Sequence, residues 1–300
     1  MARGISVHIG LNSVDPAHYD GWDGVLTLCE NDARDTMAIA TSRGFVARSI
    51  VTHNATRHAV LDAIAQAAAQ LVAGDIFLIS LAGHGGFLPD ADGDEADDQD
   101  ETWCLYDGEL IDDELYHAFG AFAAGVRILV VSDSCHSGTI VWFNAFLNQA
   151  ATDALAPQLL GDLKDADTLA SAQAAAPPAG APRARLMPPE VGVRVYQENR
   201  DFYEEQRSQP GVQGARGALA ASVILLAGCK DDQKSYDGDH ENGAFTEALK
   251  SVWHQGAFQG SYHDFVDAIV PVVNNPIQTP QYFVIGAASP AFEAQIPFTI

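Results

Sequence analysis

Two short apolar runs end in the same manner, and they constrain the chain more than anything else in it. Residues 75–82 (DIFLISLA) lead into Gly-His-Gly-Gly at 83–86, and residues 127–132 (RILVVS) lead into Asp-Ser-Cys-His-Ser-Gly at 133–138. Unbroken apolar runs of about 4–8 residues read as strands buried on both faces. Further strands are expected at 5–11, 48–52, 103–106, 222–229 and 281–286. Helical patterns separate them. One covers 29–43, with Ala33, Met37 and Ala40 at helical spacing. Another covers 56–73, with Thr56 as its N-cap, and a third runs from 112 to about 123, its start made acidic by Asp112 and Asp113. Two more are expected at 243–255 and 261–270. Strands alternating with helices predict an α/β fold, with a mostly parallel central β-sheet flanked by helices on both faces. In such sheets chemistry gathers at the carboxyl ends of strands, where His84 and Cys135 both fall.

The chain divides into three stretches by composition. Residues 1–150 form a large α/β part. Residues 151–217 comprise an Ala/Pro-rich connection, read as exposed and flexible, and a polar, mixed segment. Residues 218–300 are too few for a convincing core of their own and are expected to complete the same sheet. The 300 residues carry a net charge of -24, which repels nucleic acid and anionic lipid and suits cationic peptides. No apolar run approaches the roughly 20 residues that span a bilayer. The opening MARGISVHIGLN reads as a strand and not as an export signal, so a cytoplasmic protein is expected. The four cysteines (Cys29, Cys104, Cys135, Cys229) form no CxxC pair, which argues against a zinc ribbon or redox motif, and with no export signal disulfides are not expected either. Cys104 and Cys229 read as core residues.

Cys135 and His84 carry the chemistry. A lone cysteine is more often a core residue. Here the polar flanks and Gly138 predict an exposed thiol on a turn, able to approach a carbonyl once a base activates it. Gly83, Gly85 and Gly86 leave room around the His84 imidazole, which can accept a proton near neutral pH, and free backbone N–H groups to face a ligand. A histidine about fifty residues upstream of a strand-end cysteine is a caspase spacing.

These motifs resemble the metacaspases and their bacterial orthocaspase relatives, within the caspase-like cysteine peptidases. HIGLN, CENDARDTM, LAGHGG, LIDDEL, DSCHSGT, LLAGCKDDQKSYD, GAFTEAL and QTPQ occur in the family's order across most of the chain. The resemblance implies a caspase-like sandwich and a His84/Cys135 dyad, with the backbone N–H groups of Gly85 and Cys135 holding the oxyanion. It also implies cleavage after Arg or Lys, in a pocket formed by Cys29, Asp32, Ala82 and Asp133. Ala82 departs from the serine the family often has, so affinity for the basic side chain is expected to be tuned and not reversed. Three carboxylates of the family's calcium site map onto Asp100, Asp112 and Asp113. The fourth position is Trp142, which leaves calcium activation open; no cofactor is expected to be required for the chemistry itself. The acidic stretch 90–101 is no EF-hand, because Glu95 stands where the loop needs glycine.

Basic residues in the connection, Arg183 and Arg185 foremost, are candidate self-cleavage sites. Lys164, Arg194 and Arg200 offer others. The expected partners are peptides or proteins with basic residues, and the chain is expected to act as a monomer. A catalytically silent interaction module is the main alternative. An asparaginyl or aspartyl endopeptidase is a third reading, opposed by the like charges of Asp32 and Asp133.

Overall fold

The computed structural model describes residues 2–89, 99–135, 183–209, 212, 219–230, 233, 235, 236 and 241–300. His136, Gly138, Trp142, Lys164 and most of the acidic stretch 90–101 lie outside the described residues.

Six strands make the central sheet, in the order β2-β1-β3-β7-β8-β9. They are β1 (Gly4–Gly10), β2 (Val46–Val51), β3 (Ile76–Ala82), β7 (Arg127–Asp133), β8 (Ser222–Ala227) and β9 (Gln281–Gly286). All neighbours pair in parallel except β9, which runs antiparallel at the edge. β3, β7 and β8 are buried almost throughout. Their alternate residues therefore go to two different cores. Phe77, Ile79, Ile128, Val130, Val223 and Leu225 face α2 (Arg57–Ala68) and α3 (Asp112–Gly120). Leu78, Leu129, Val131, Ile224 and Leu226 face α1 (Cys29–Ser42), α6 (Ala244–Trp253) and α7 (Tyr262–Val273). Thr56 caps α2 as expected, accepting the N–H of Ala59. A short α8 (Pro290–Glu293) closes the chain.

A second, smaller layer departs from the sequence reading. β4 (Gly85–Pro89), β5 (Gln99–Leu105) and β6 (Gly108–Ile111) form an antiparallel sheet, where one strand near 103–106 was expected. Two helices, α4 (Pro189–Glu198) and α5 (Arg200–Arg207), pack on it, within the stretch read as merely polar. Val191, Val195 and Tyr203 meet Leu88, Cys104 and Ile111 there. Among the described residues no helix is long and apolar enough to cross a membrane.

Candidate active site

Strand register brings the two motifs together. Gly10 pairs with Ala82, and Ala82 with Asp133, at the carboxyl ends of β1, β3 and β7. His84 and Cys135 each lie two residues past the Ala82–Asp133 pair, on strands about 4.8 Å apart. Gly85 allows the two turns to meet: a Cβ there would stand 1.9 Å from the Cys135 carbonyl oxygen.

The chain threads its own residues 183–187 between these turns. The carbonyl oxygen of Arg185 accepts from the Gly85 N–H at 3.0 Å and the Cys135 N–H at 3.1 Å. Its own N–H donates to the Ser235 carbonyl at 2.8 Å, and Ala184 bridges antiparallel to Tyr236. Beyond it, Leu186 bridges to Gly85, and the Met187 N–H donates to the Gly85 carbonyl at 2.8 Å. An extended segment held by main-chain bonds on both sides is how a peptide is gripped by β-strand addition. The end of the connection is therefore no open tether. Arg183 does remain at the surface, where its guanidinium donates to the Val25 carbonyl.

Arg185 itself is fully buried (0% exposed). Its Nη2 donates to Asp32 Oδ2 at 2.5 Å, and its Nη1 lies 3.0 Å from both Asp133 Oδ2 and the Asp133 carbonyl oxygen. Further hydrogen bonds hold both carboxylates. Asp32 Oδ1 accepts from Asn242 Nδ2 at 3.0 Å and the Gly243 N–H at 2.9 Å. Asp133 accepts from the Ser235 hydroxyl and from the N–H and hydroxyl of Thr246. A buried ion pair holds only when such bonds satisfy it fully. Two carboxylates share one cation, however. Burial, with Asp133 adding to it and Arg185 opposing, raises Asp32 to about 6. Cys29 and Ala82 form a small apolar cluster with Leu26 beside this pocket.

The thiol is not exposed as the sequence suggested. Cys135 is 1% exposed, because Ser235 and the threaded segment lie across it, and its Sγ accepts the Ser235 N–H at 3.1 Å. His84 bonds through Nε2 to the Gly24 carbonyl at 2.9 Å, and the Trp22 ring meets it edge-on at 4.7 Å. Because a carbonyl can only accept, Nε2 is the donor there, and Nδ1 of the neutral ring is the nitrogen that can take a proton. Burial lowers the imidazole to about 4, so it is neutral in this state. The arrangement supplies a thiol, a neutral imidazole, two backbone donors on one carbonyl and an anionic pocket for the residue carrying that carbonyl.

A caspase-domain family model matches residues 14–292. This chain belongs to the caspase-domain family. Relatives of the caspase domain include Metacaspase-1 of Cryptococcus neoformans, 28% identical over 80% of this chain and 52% of the relative. Metacaspase-1 of Mycosarcoma maydis is 29% identical over 88% and 66%. The chain thus spans about half to two thirds of these relatives' length. Protein GSU0716 of Geobacter sulfurreducens has a crystal structure similar to this one, with 45% identity, a TM-score of 0.79, and 99% and 98% of the two chains covered. Caspase-1 of Spodoptera frugiperda shares the fold at 12% identity and a TM-score of 0.52, over 95% and 88%.

The three carboxylates expected to hold calcium, Asp100, Asp112 and Asp113, are all buried. Among the described residues no three His, Cys, Asp or Glu side chains group as a metal site. Asp100 pairs with the buried guanidinium of Arg207 from α5, while Asp112 and Asp113 open α3. Ser235 and Thr246 lie in motifs of the resemblance, yet no pocket role was expected for them or for Asn242, Trp22 and Gly24. Ser235, Asn242 and Thr246 come from the C-terminal part and matter only because α6 starts under the pocket. Trp22 and Gly24 lie in an irregular loop whose approach to His84 no periodicity announces.

Proposed function

We propose that this caspase-domain chain is a cysteine endopeptidase that cleaves after Arg or Lys through Cys135 and His84, and that Arg185–Leu186 is its own first substrate. One observation carries the reading: the Arg185 carbonyl rests between two backbone donors while its side chain rests between two carboxylates. Donors at 3.0 and 3.1 Å are at the distance an oxyanion needs, and each such donor is worth on the order of 3 kcal/mol to a tetrahedral intermediate.

The chemistry follows from the groups in place. Neutral His84 takes the Cys135 proton, and the thiolate attacks the Arg185 carbonyl carbon. The charge that develops on oxygen falls on the Gly85 and Cys135 N–H groups. His84 returns the proton to the Leu186 nitrogen as the C–N bond breaks, leaving an Arg185 thioester. Water, deprotonated by His84, then hydrolyses the thioester and frees the thiol. Free peptides use the same pocket once residues 183–187 leave it.

A silent interaction module also has an observation in its favour, since the chain's own segment fills the groove. The two readings separate on matched fluorogenic peptides ending in Arg, Lys, Asp or Asn, assayed with and without calcium beside Cys135→Ala. Cleavage after Arg or Lys that is lost in the variant supports the peptidase. No cleavage of any peptide supports the silent module, and cleavage after Asp or Asn contradicts the pocket assignment.

A further inference from the structure

Gly243 stands where the Arg185 guanidinium ends. A Cβ built on it would lie 2.3 Å from Nη2, 2.6 Å from Cζ and 2.7 Å from Nη1. No carbon packs that closely, so a side chain at 243 and the guanidinium cannot share the space. The guanidinium has nowhere to retreat, being held by Asp32 and Asp133 in a fully buried pocket.

The backbone does not explain the glycine. Gly243 has φ -59 and ψ 151, which any residue adopts. It is the N-cap of α6, a position where Ser, Thr, Asp or Asn would bond the first turn, and no side-chain cap exists there. Glycine is tolerated at N-caps, yet here its bare Cα coincides with the space the guest fills. Its N–H also has a task, fixing Asp32 Oδ1 at 2.9 Å.

We propose that Gly243 is the specificity-determining wall of the pocket, and that the slot it leaves open selects arginine over lysine. This rests on the endopeptidase reading above. Arginine reaches Asp32 with one Nη and Asp133 with the other. A lysine ammonium offers one nitrogen to both carboxylates, without the planar fork that gives each its own. Two of the three atoms that a methyl at 243 would strike are those Nη atoms, which lysine lacks. Closing the slot therefore penalises arginine more.

Two measurements test this. The first compares kcat/KM of wild type and Gly243→Ala on peptides that differ only in Arg or Lys before the cleaved bond. Wild type should favour Arg, and the variant should lose at least 100-fold on Arg and at least tenfold in the Arg/Lys ratio. Its circular-dichroism spectrum should not change, so that a lost ratio reports the pocket and not an unfolded chain. The second needs no activity. In a Cys135→Ala background, trypsin should leave Arg185–Leu186 intact, and adding Gly243→Ala should expose that one bond to it. A variant that keeps the Arg/Lys ratio and the trypsin resistance overturns the role of Gly243 alone. A wild type that cuts neither peptide overturns the endopeptidase reading, and this one with it.

Discussion

Asp32 is pulled two ways: burial favours its neutral form, and the arginine in the pocket favours the carboxylate. With Arg185 seated the balance lies at about 6. An empty pocket lacks the guanidinium that lowers it, so the midpoint there is higher still. Binding of a basic side chain therefore strengthens as pH rises through this range and weakens as pH falls. The kcat/KM for an Arg peptide should decline on the acid side with a midpoint near or above about 6, and Asp32→Asn should abolish that limb. The same variant should cost about 150- to 5000-fold in kcat/KM, since breaking one partner of a buried pair costs about 3–5 kcal/mol. A pH–rate profile of both proteins checks the two effects together. Asp32 was legible only through resemblance, because a carboxylate on a helix face is ordinarily solvated. His84 and Cys135 were legible from the residues, since glycines crowd one and polar groups flank the other at strand ends. No pocket role could be read for Ser235, Asn242 and Thr246, because it depends on where the turn after β8 and the start of α6 lie in space.

The strands of the central sheet could be read because β3, β7 and β8 are apolar along their whole length. The small sheet could not. β4 is Gly-Gly-Phe-Leu-Pro, too short and too rich in breakers to signal a strand, and its partners lie beyond the acidic stretch. α4 and α5 bury only a few apolar residues, enough to cover three strands but too few to set a visible period. Between these layers sits Glu109, fully buried on β6 and bonded by the Thr102 hydroxyl. Burial raises its carboxyl to about 7 from an ordinary 4.5. Its contribution to stability is thus complete below about 4.5 and is lost as pH rises through about 7. Glu109→Gln should raise the unfolding temperature at pH 8 and leave it nearly unchanged at pH 4, by thermal unfolding at both pH values.

Cutting after Arg185 would divide the chain but not the fold. Residues before the cut supply β1–β3 and β7, and residues after it supply β8 and β9 of the same sheet. β8 pairs with β7 on one side and β9 on the other, so the two pieces share one continuous core. Helices α4 and α5 stay on the small sheet through Val191, Val195, Tyr203 and the buried Arg207–Asp100 pair. Native size-exclusion chromatography of the cut protein should show one species at the size of the intact chain, and a denaturing gel should show two. The sheet order made this arrangement legible in outline, since residues 218–300 alone are too few to bury a core. The seating of 183–187 was not legible, because an Ala/Pro-rich stretch carries no pattern that tells a substrate-like strand from a tether.

The measurement closest to the centre of this account is the intact mass of the purified protein beside Cys135→Ala, after incubation at pH 7 to 8. The wild type should yield two fragments whose masses place the cut between Arg185 and Leu186, and the variant should remain one chain. A wild type that stays whole while cleaving Arg peptides, or that is cut at Arg183 in place of Arg185, would contradict the claim that the seated Arg185 is the enzyme's own substrate.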